Sequence, residues 1–311
     1  MKKEGVTGMD SSRMPVDRER GVRAFLSRHP FLILALPLGL VGYFVYGGLL
    51  WNTWVSFTNW RGLTPTYVFY GLQNYSRLFG SPIFLTALKN TVLLFLTIPL
   101  CIVIGFFLAV LLDQNLRGMG IFRNLLLLPY ALSFVVTGTI WAWMYNPSKG
   151  ILNTVLRQLG FSQWQAMWHT SQETVMYAII LALVWQFSGY AALVLLAGIR
   201  AIPEVQIKAA LLEGASRVRI YRRIIIPQLK GAVMTVVIVI MMYALRAFDF
   251  IWVLTGGGPG YASHTLSIMM YKEAFQATRF AYASAIANVL LGLTLILILP
   301  YLYVMHRRAA Q

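Results

Sequence analysis

The chain has 311 residues, 58% of them hydrophobic and 12% charged, with a formal net charge of +16 and a mean hydropathy of +0.66. A soluble domain carries about 25% charged residues, and apolar runs of about 20 residues are the length that crosses a bilayer, so two or three soluble domains are excluded. Nucleic acid is not the partner that the charge points to: the basic residues cluster beside the apolar runs, as the positive-inside rule requires.

In chain order, residues 1–28 carry seven basic residues, from Lys2 to Arg28, and residues 1–30 are expected to form a cytoplasmic basic tail. Six apolar runs follow, at about Phe31–Val55, Thr91–Leu112, Leu125–Met144, Val175–Ala197, Ala232–Leu254 and Ala281–Val304, each near 20 residues or longer. The expectation is an all-α integral membrane protein with six transmembrane helices over 31–306 and a short cytoplasmic end at 307–311. The runs are apolar on all faces, unlike the alternating strands of a β-barrel. The first run is too long for a signal peptide, and no small-residue cleavage site follows it.

With both termini inside, the inward segments hold eighteen Lys and Arg and the outward segments seven, with Arg246 inside a run; this asymmetry sets the orientation. The outward loops, 56–82 and 145–173, are rich in Trp, Tyr, Asn, Gly and Pro. Their aromatics suit the membrane–water interface or a surface that docks a soluble protein. Cys101, the single cysteine, has no disulfide partner in its chain and is no metal site on its own; it reads as a small core hydrophobe.

The segment between the fourth and fifth runs, loop 201–230, is charged and helix-prone. Pro203 at the first helical position and Glu204 after it read as a helix start. Ile207, Ala210 and Leu211 then share a face. Gly214 ends this helix, Ser216 caps the next, and Ile220 and Ile224 mark the apolar side of the second. Pro227 closes the element. Arg217, Arg219, Arg222 and Arg223 surround it. One reading is an amphipathic helix held by anionic lipid. The other is a docking element, because a tight turn of small residues, Glu213-Gly214-Ala215-Ser216, can enter a cleft and has no use against lipid.

Ala209, Ala210, Glu213, Gly214, Ala215, Tyr221, Ile224 and Pro227 match, in order and spacing, the cytoplasmic EAA coupling loop of permease subunits from ATP-binding-cassette importers. Lys208 departs from the pattern, standing where that motif has its first Glu. The resemblance continues through SFTNW (56–60), GLQNYSRLF (71–79), LKNT (88–91), WAWMYNPSKGILN (141–153) and LTGGGPG (254–260). Together these resemble the carbohydrate-importer branch, the first of its two paired permeases, with the glucose/mannose type most similar and oligosaccharide or glycerol-phosphate relatives close behind. The resemblance implies a type I importer permease fold with a helix-turn-helix coupling loop. It implies as partners a second permease subunit, an ATPase dimer that binds the ATP and Mg, an extracytoplasmic sugar-binding protein, and a sugar substrate. It places ATPase coupling on Ala209, Ala210, Glu213, Gly214, Ala215 and Ser216. The run Gly256–Gly260 lacks the Lys-Ser/Thr pair of a phosphate loop, so no cofactor is expected in this chain and the energy source is a separate protein.

Ionisable groups inside a span are costly and mark function by default. Arg246 and Asp249 are three apart, and on one helix they share a face and can pair; such a pair serves helix packing or a substrate path. In the fourth run, Gln186, Ser188, Gly189 and Tyr190 offer an amide, a hydroxyl, a close approach and a ring face, which suit a sugar's hydroxyls and C–H groups; ordinary helix packing uses the same small residues. In related sugar permeases the substrate contacts fall at positions aligned with Gln186, Ser188, Gly189 and Tyr243. No metal site is expected at His169 or His264, and no catalytic constellation is present. An ion-coupled carrier using Arg246 and Asp249 is the alternative; it predicts inverted repeats and broken spans, neither of which is legible in the sequence.

Overall fold

A computed structural model describes residues 30–114 and 118–309; the tail 1–29, Arg117 and the last two residues of the 307–311 end lie outside the described residues. The described chain is helical, with one isolated bridge, Thr58 to Phe69, as its β structure. Contacts divide it into a unit that ends at Trp54 and a unit that begins at Val55. The first unit contains nearly all of α1 (Pro30–Ser56), a 27-residue apolar helix.

The second unit holds α2 (Gln73–Phe79) and α3 (Pro82–Leu112), the latter 31 residues long and passing through one 3-10 turn. Then come α4 (Met119–Ala131), α5 (Phe134–Met144), α6 (Ile151–Gln158) and α7 (Val175–Arg200). The loop segment supplies α8 (Glu204–Leu212) and α9 (Arg217–Gln228), and α10 (Lys230–Leu245), α11 (Phe248–Thr255), α12 (Leu266–Tyr271) and α13 (Phe280–Ala309) complete the chain.

Among the described residues, three helices are long and apolar enough to cross a membrane, or five if each bent pair counts as one span. The third expected run is α4 and α5, which meet at 100°. The other bent pair is α9 and α10, which meet at 62° at Leu229; the fifth expected run covers α10 and α11, interrupted at Arg246–Ala247. The broken spans that the sequence did not reveal are therefore present. The first break has a local cause: Pro129 cannot donate into its helix, Leu132 is extended, and Ser133 caps α5 by accepting from the Val136 N–H at 3.3 Å. At the second, Arg246 closes α10 through bonds from its N–H to Met242 and Tyr243, and Ala247 leaves helical geometry.

α7 is the hub of the core. It runs parallel to α3, with Gly105 so close that a Cβ there would lie 2.7 Å from the Ala191 Cβ. Cys101, in the same seam, is fully buried. On another side, a Cβ on Gly189 would collide with the backbone of Leu126 in α4. Near its end, a Cβ on Gly198 would press on Leu229 and Ala232 at the start of α10. Small residues thus let helix backbones meet directly, which is how apolar helices associate where lipid is as apolar as their side chains.

The motifs read in the sequence pair with one another in space. Asn74 of GLQNYSRLF donates to the carbonyls of Ser56 and Thr58 in SFTNW, both at 2.8 Å. Asn90 of LKNT donates to Ala262 and His264, and Thr91 accepts from the Leu266 N–H, pinning the glycine-rich loop to α3. Asn153 closes the 145–173 loop through Pro147, Ala166 and Trp168.

Candidate functional site

The 201–229 segment folds as two helices around a turn. Pro203 is the N-cap of α8, one residue earlier than the sequence reading placed it, and Glu204 is the first helical residue. At the other end, Gly214 has φ +78°, a left-handed conformation that costs a residue with a Cβ. The Ala215 N–H reaches the Ala210 carbonyl at 2.9 Å and the Gly214 N–H the Leu211 carbonyl at 3.0 Å. These are the two bonds of a Schellman motif. Ala210 and Ala215, the apolar pair of that motif, are half-buried against the core. Ser216 then accepts from the Arg219 N–H at 3.4 Å and starts α9.

The hairpin is anchored on its inner side. Ile220, Ile225 and Leu229 are buried, and Ile207 and Ile224 pack against the core. Gln228 donates to Gln206 at 2.9 Å, joining α9 to α8. Arg200, the last residue of α7, pairs with Asp113 at 3.2 Å and reaches the Leu112 carbonyl at the end of α3. On the outer side Val205, Leu212 and Val218 are 75%, 90% and 77% exposed, apolar side chains displayed beside a charged segment. Leu211, expected on the inner face, is also exposed. Glu213 is exposed at the tip. Lys208 pairs with Glu204 one turn back, at 2.7 Å; this bond and the charge attraction lower the Glu204 carboxyl and raise the Lys208 ammonium.

Three of the residues read as a substrate path come together at the break between α4 and α5. Gln186 is buried and donates its amide to the Leu132 carbonyl at 3.0 Å, while its Oε1 has no partner. Tyr190 stacks on Tyr130, with ring centroids 4.7 Å apart and 18° between planes. Tyr243 packs against Tyr130, Phe134 and Phe187 at 6.0, 5.8 and 5.0 Å. Tyr130, Phe134 and Phe187 were not singled out from the sequence; Pro129 and Ser133 inside an apolar run were the signal that the chain breaks there. Phe187 is buried, whereas Tyr130 and Tyr190 are half-buried and Tyr243 is exposed.

Ser188 and Gly189 face helix contacts. Ser188 donates to the Val184 carbonyl one turn back at 2.6 Å and lies 4.0 Å from Cys101, and Gly189 sits on the α4 backbone. Arg246 and Asp249 do not share a helix, because the chain breaks between them. They form no ion pair among the described residues, and both are exposed, which corrects the paired reading. Arg246 instead closes α10 and Asp249 lies in the first turn of α11, so each charge sits at the helix end whose dipole favours it. Among the described residues no cluster of His, Cys, Asp or Glu could hold a metal.

Residues 86–310 match the family model described as binding-protein-dependent transport system inner membrane component. A protein of Pyrococcus horikoshii, described as a probable ABC transporter permease, is 50% identical over 277 residues, covering 88% of this chain and 95% of that one. The xylose/arabinose import permease protein XacH of Haloferax volcanii is 42% identical over 276 residues, covering 88% and 86%. In fold, the chain superimposes on a chain of a bacterial ABC transporter that imports the acidic polysaccharide alginate, with a TM-score of 0.75 and 21% identity over 93% of this chain and 99% of that one.

Proposed function

The chain belongs to the family of binding-protein-dependent transport system inner membrane components, and on that footing we propose how it works as the sugar-conducting subunit of an ATP-driven importer. It is a multi-pass membrane protein that pairs with a second permease subunit. It crosses the membrane six times over 31–306, counting α1 and each broken pair as single spans, with both termini in the cytoplasm. The 201–230 loop receives an ATPase dimer, which alone binds ATP and Mg; this chain does no chemistry. An extracytoplasmic binding protein delivers the sugar.

The observation that carries this reading is the Schellman-capped turn at Gly214, held rigid from within and presented beside three exposed apolar side chains. Ala209, Ala210, Glu213, Gly214, Ala215 and Ser216 form the knob that enters the ATPase. When ATP closes the ATPase dimer, the knob moves with it. The load passes through Ile220, Ile225 and Leu229 into α7 and α10, and the two permeases rock between inward-open and outward-open. Where related permeases place a carboxylate, the ATPase meets the Glu204–Lys208 pair.

The sugar passes the aromatic cluster at the α4–α5 break. Tyr130, Tyr190 and Tyr243 offer ring faces to its C–H groups and hydroxyls to its hydroxyls, with Gln186 behind them. Arg246 supplies donors and Asp249 acceptors along the α10–α11 break, a combination with no net charge that suits a neutral saccharide. The relative named for xylose and arabinose supports a small sugar of this kind. An ion-coupled carrier resting on an Arg246–Asp249 pair loses its basis, since that pair is not formed.

The test is co-expression with the neighbouring permease and ATPase and purification through a tag on this chain. ATPase is expected to co-purify with the unaltered chain and to be lost with Gly214→Pro. Folded, unaltered protein that brings down no ATPase would sink the reading.

A further inference from the structure

Two features of the molecule both draw residues from α9. The first is a basic pocket of about 360 Å³ lined by Ser216, Val218, Arg219, Arg222 and Arg223. It contains no carboxylate, and among the described residues none of its three arginines forms an ion pair. The second is a groove of about 320 Å³ lined wholly by apolar residues of α3, α7, α9 and α10, among them Val103, Phe107, Leu195, Ile226 and Val233. Val103, Phe107 and Ile226 are 53%, 64% and 49% exposed.

We propose that the pocket and the groove together hold one anionic phospholipid of the leaflet that borders the 201–229 segment. Its phosphate sits among Arg219, Arg222 and Arg223, and an acyl chain lies in the groove. The spacing suits this occupant. Ile226, at the mouth of the groove, follows Arg222 by four residues across the wide turn Tyr221–Ile225, where the Ile226 N–H reaches the Tyr221 carbonyl, so Arg222 and Ile226 lie about one turn apart on α9. Cation and apolar channel are therefore adjacent in the order in which a lipid presents its phosphate and its chain.

The charge is complementary as well. Basic residues beside a membrane attract anionic headgroups, each contributing about 1 kcal/mol, and three guanidiniums can converge on phosphate oxygens. A protein occupant fits less well. It would reach the Gly214 turn, but the groove lies among apolar residues of the membrane helices. Arg217 does not line the pocket and serves as a control. The proposal does not depend on ATPase docking at Gly214, and its test reads lipid rather than ATPase.

The experiment is native mass spectrometry of the purified full chain after incubation with equal amounts of phosphatidylglycerol and phosphatidylcholine. The unaltered chain and Arg217→Gln are expected to retain phosphatidylglycerol over phosphatidylcholine by about tenfold or more. The triple change of Arg219, Arg222 and Arg223 to Gln should bring the ratio to near one, and the same triple change to Lys should keep most of the preference, which guards against simple misfolding. Val103→Trp, which fills the groove from an exposed position, should lower retention of both lipids. The proposal is overturned by a ratio near one in the unaltered chain, by an unchanged ratio in the triple Gln variant, or by unchanged lipid retention with Val103→Trp.

Discussion

Gln186 of α7 donates its side-chain amide to the Leu132 carbonyl at 3.0 Å, at the point where α4 ends and the chain turns through 100° into α5. The carbonyls at the end of a helix lack partners in their own helix, and in an apolar bundle an unmet one is costly. Gln186 thus stabilises the break itself. Replacing it with Leu removes this bond and leaves the Leu132 carbonyl unmet, so a loss of about 1–3 kcal/mol is expected. Thermal unfolding of the purified chain in detergent measures it. A Gln186→Leu variant as stable as the original would show that the break holds without the amide.

Gly189 gives a stronger steric prediction. A Cβ there collides with the Leu126 backbone, and backbone cannot move aside as a side-chain tip can. Gly189→Ala should cost about 1–3 kcal/mol or more by overpacking and lower the yield of folded protein in size-exclusion chromatography. Gly231→Ala, at a helical position where a Cβ meets nothing within 4 Å, is the matched control and should be neutral or slightly stabilising.

Arg246 and Asp249 stand on separate helices and are not paired. Their energetic coupling should therefore be small. In a double-mutant cycle with Arg246→Gln and Asp249→Asn, the effects on stability should add within about 0.5 kcal/mol. A coupling energy of about 1 kcal/mol or more would restore the ion pair. The same variants assayed for sugar uptake separate packing from transport, because a path role lowers uptake at unchanged stability.

His264 is buried in the 255–265 loop. Its Nδ1 lies 2.9 Å from the Gly257 carbonyl, its ring meets the edge of Tyr261, and its own carbonyl accepts from Asn90. Burial lowers its pKa below the ordinary 6.5, and the nearby Lys272 ammonium acts the same way, against the opposing bond to Gly257. The folded state thus binds this proton less readily than the unfolded state. Its stabilisation is full above pH 6.5 and declines as pH falls below that value. Hydrogen exchange in the 255–265 backbone should accelerate between pH 6.5 and 5 beyond the intrinsic trend, and His264→Gln should flatten that extra dependence.

Much of this architecture was legible in the sequence because its signals are local. Long apolar runs gave α3, α7 and α13, and Gly214 with Ser216 gave the cap and the N-cap of the hairpin. The helix breaks were harder to read. Pro129 and Ser133 lie in a run whose hydropathy stays high throughout, so an apolar window passes over them. Between Arg246 and Asp249 no Pro or Gly marks the interruption at all, and the three-residue spacing read as a shared face. The roles of Ser188 and Gly189 depend on Val184, Cys101 and Leu126, and which of these a residue meets is decided by packing. The aromatic cluster is likewise assembled from residues as far apart as Tyr130 and Tyr243.

The three close contacts along α7 have a mechanical meaning. Gly105 against Ala191, Gly189 against Leu126 and Gly198 against Leu229 key this helix to its neighbours on several sides, as a spline keys a shaft. A rotation or a slide of α7 would press backbone on backbone at Gly105 and Gly189, and backbone on the Leu229 and Ala232 side chains at Gly198. The interruptions at Leu132–Ser133 and at Arg246–Ala247 are instead where the chain leaves helical geometry.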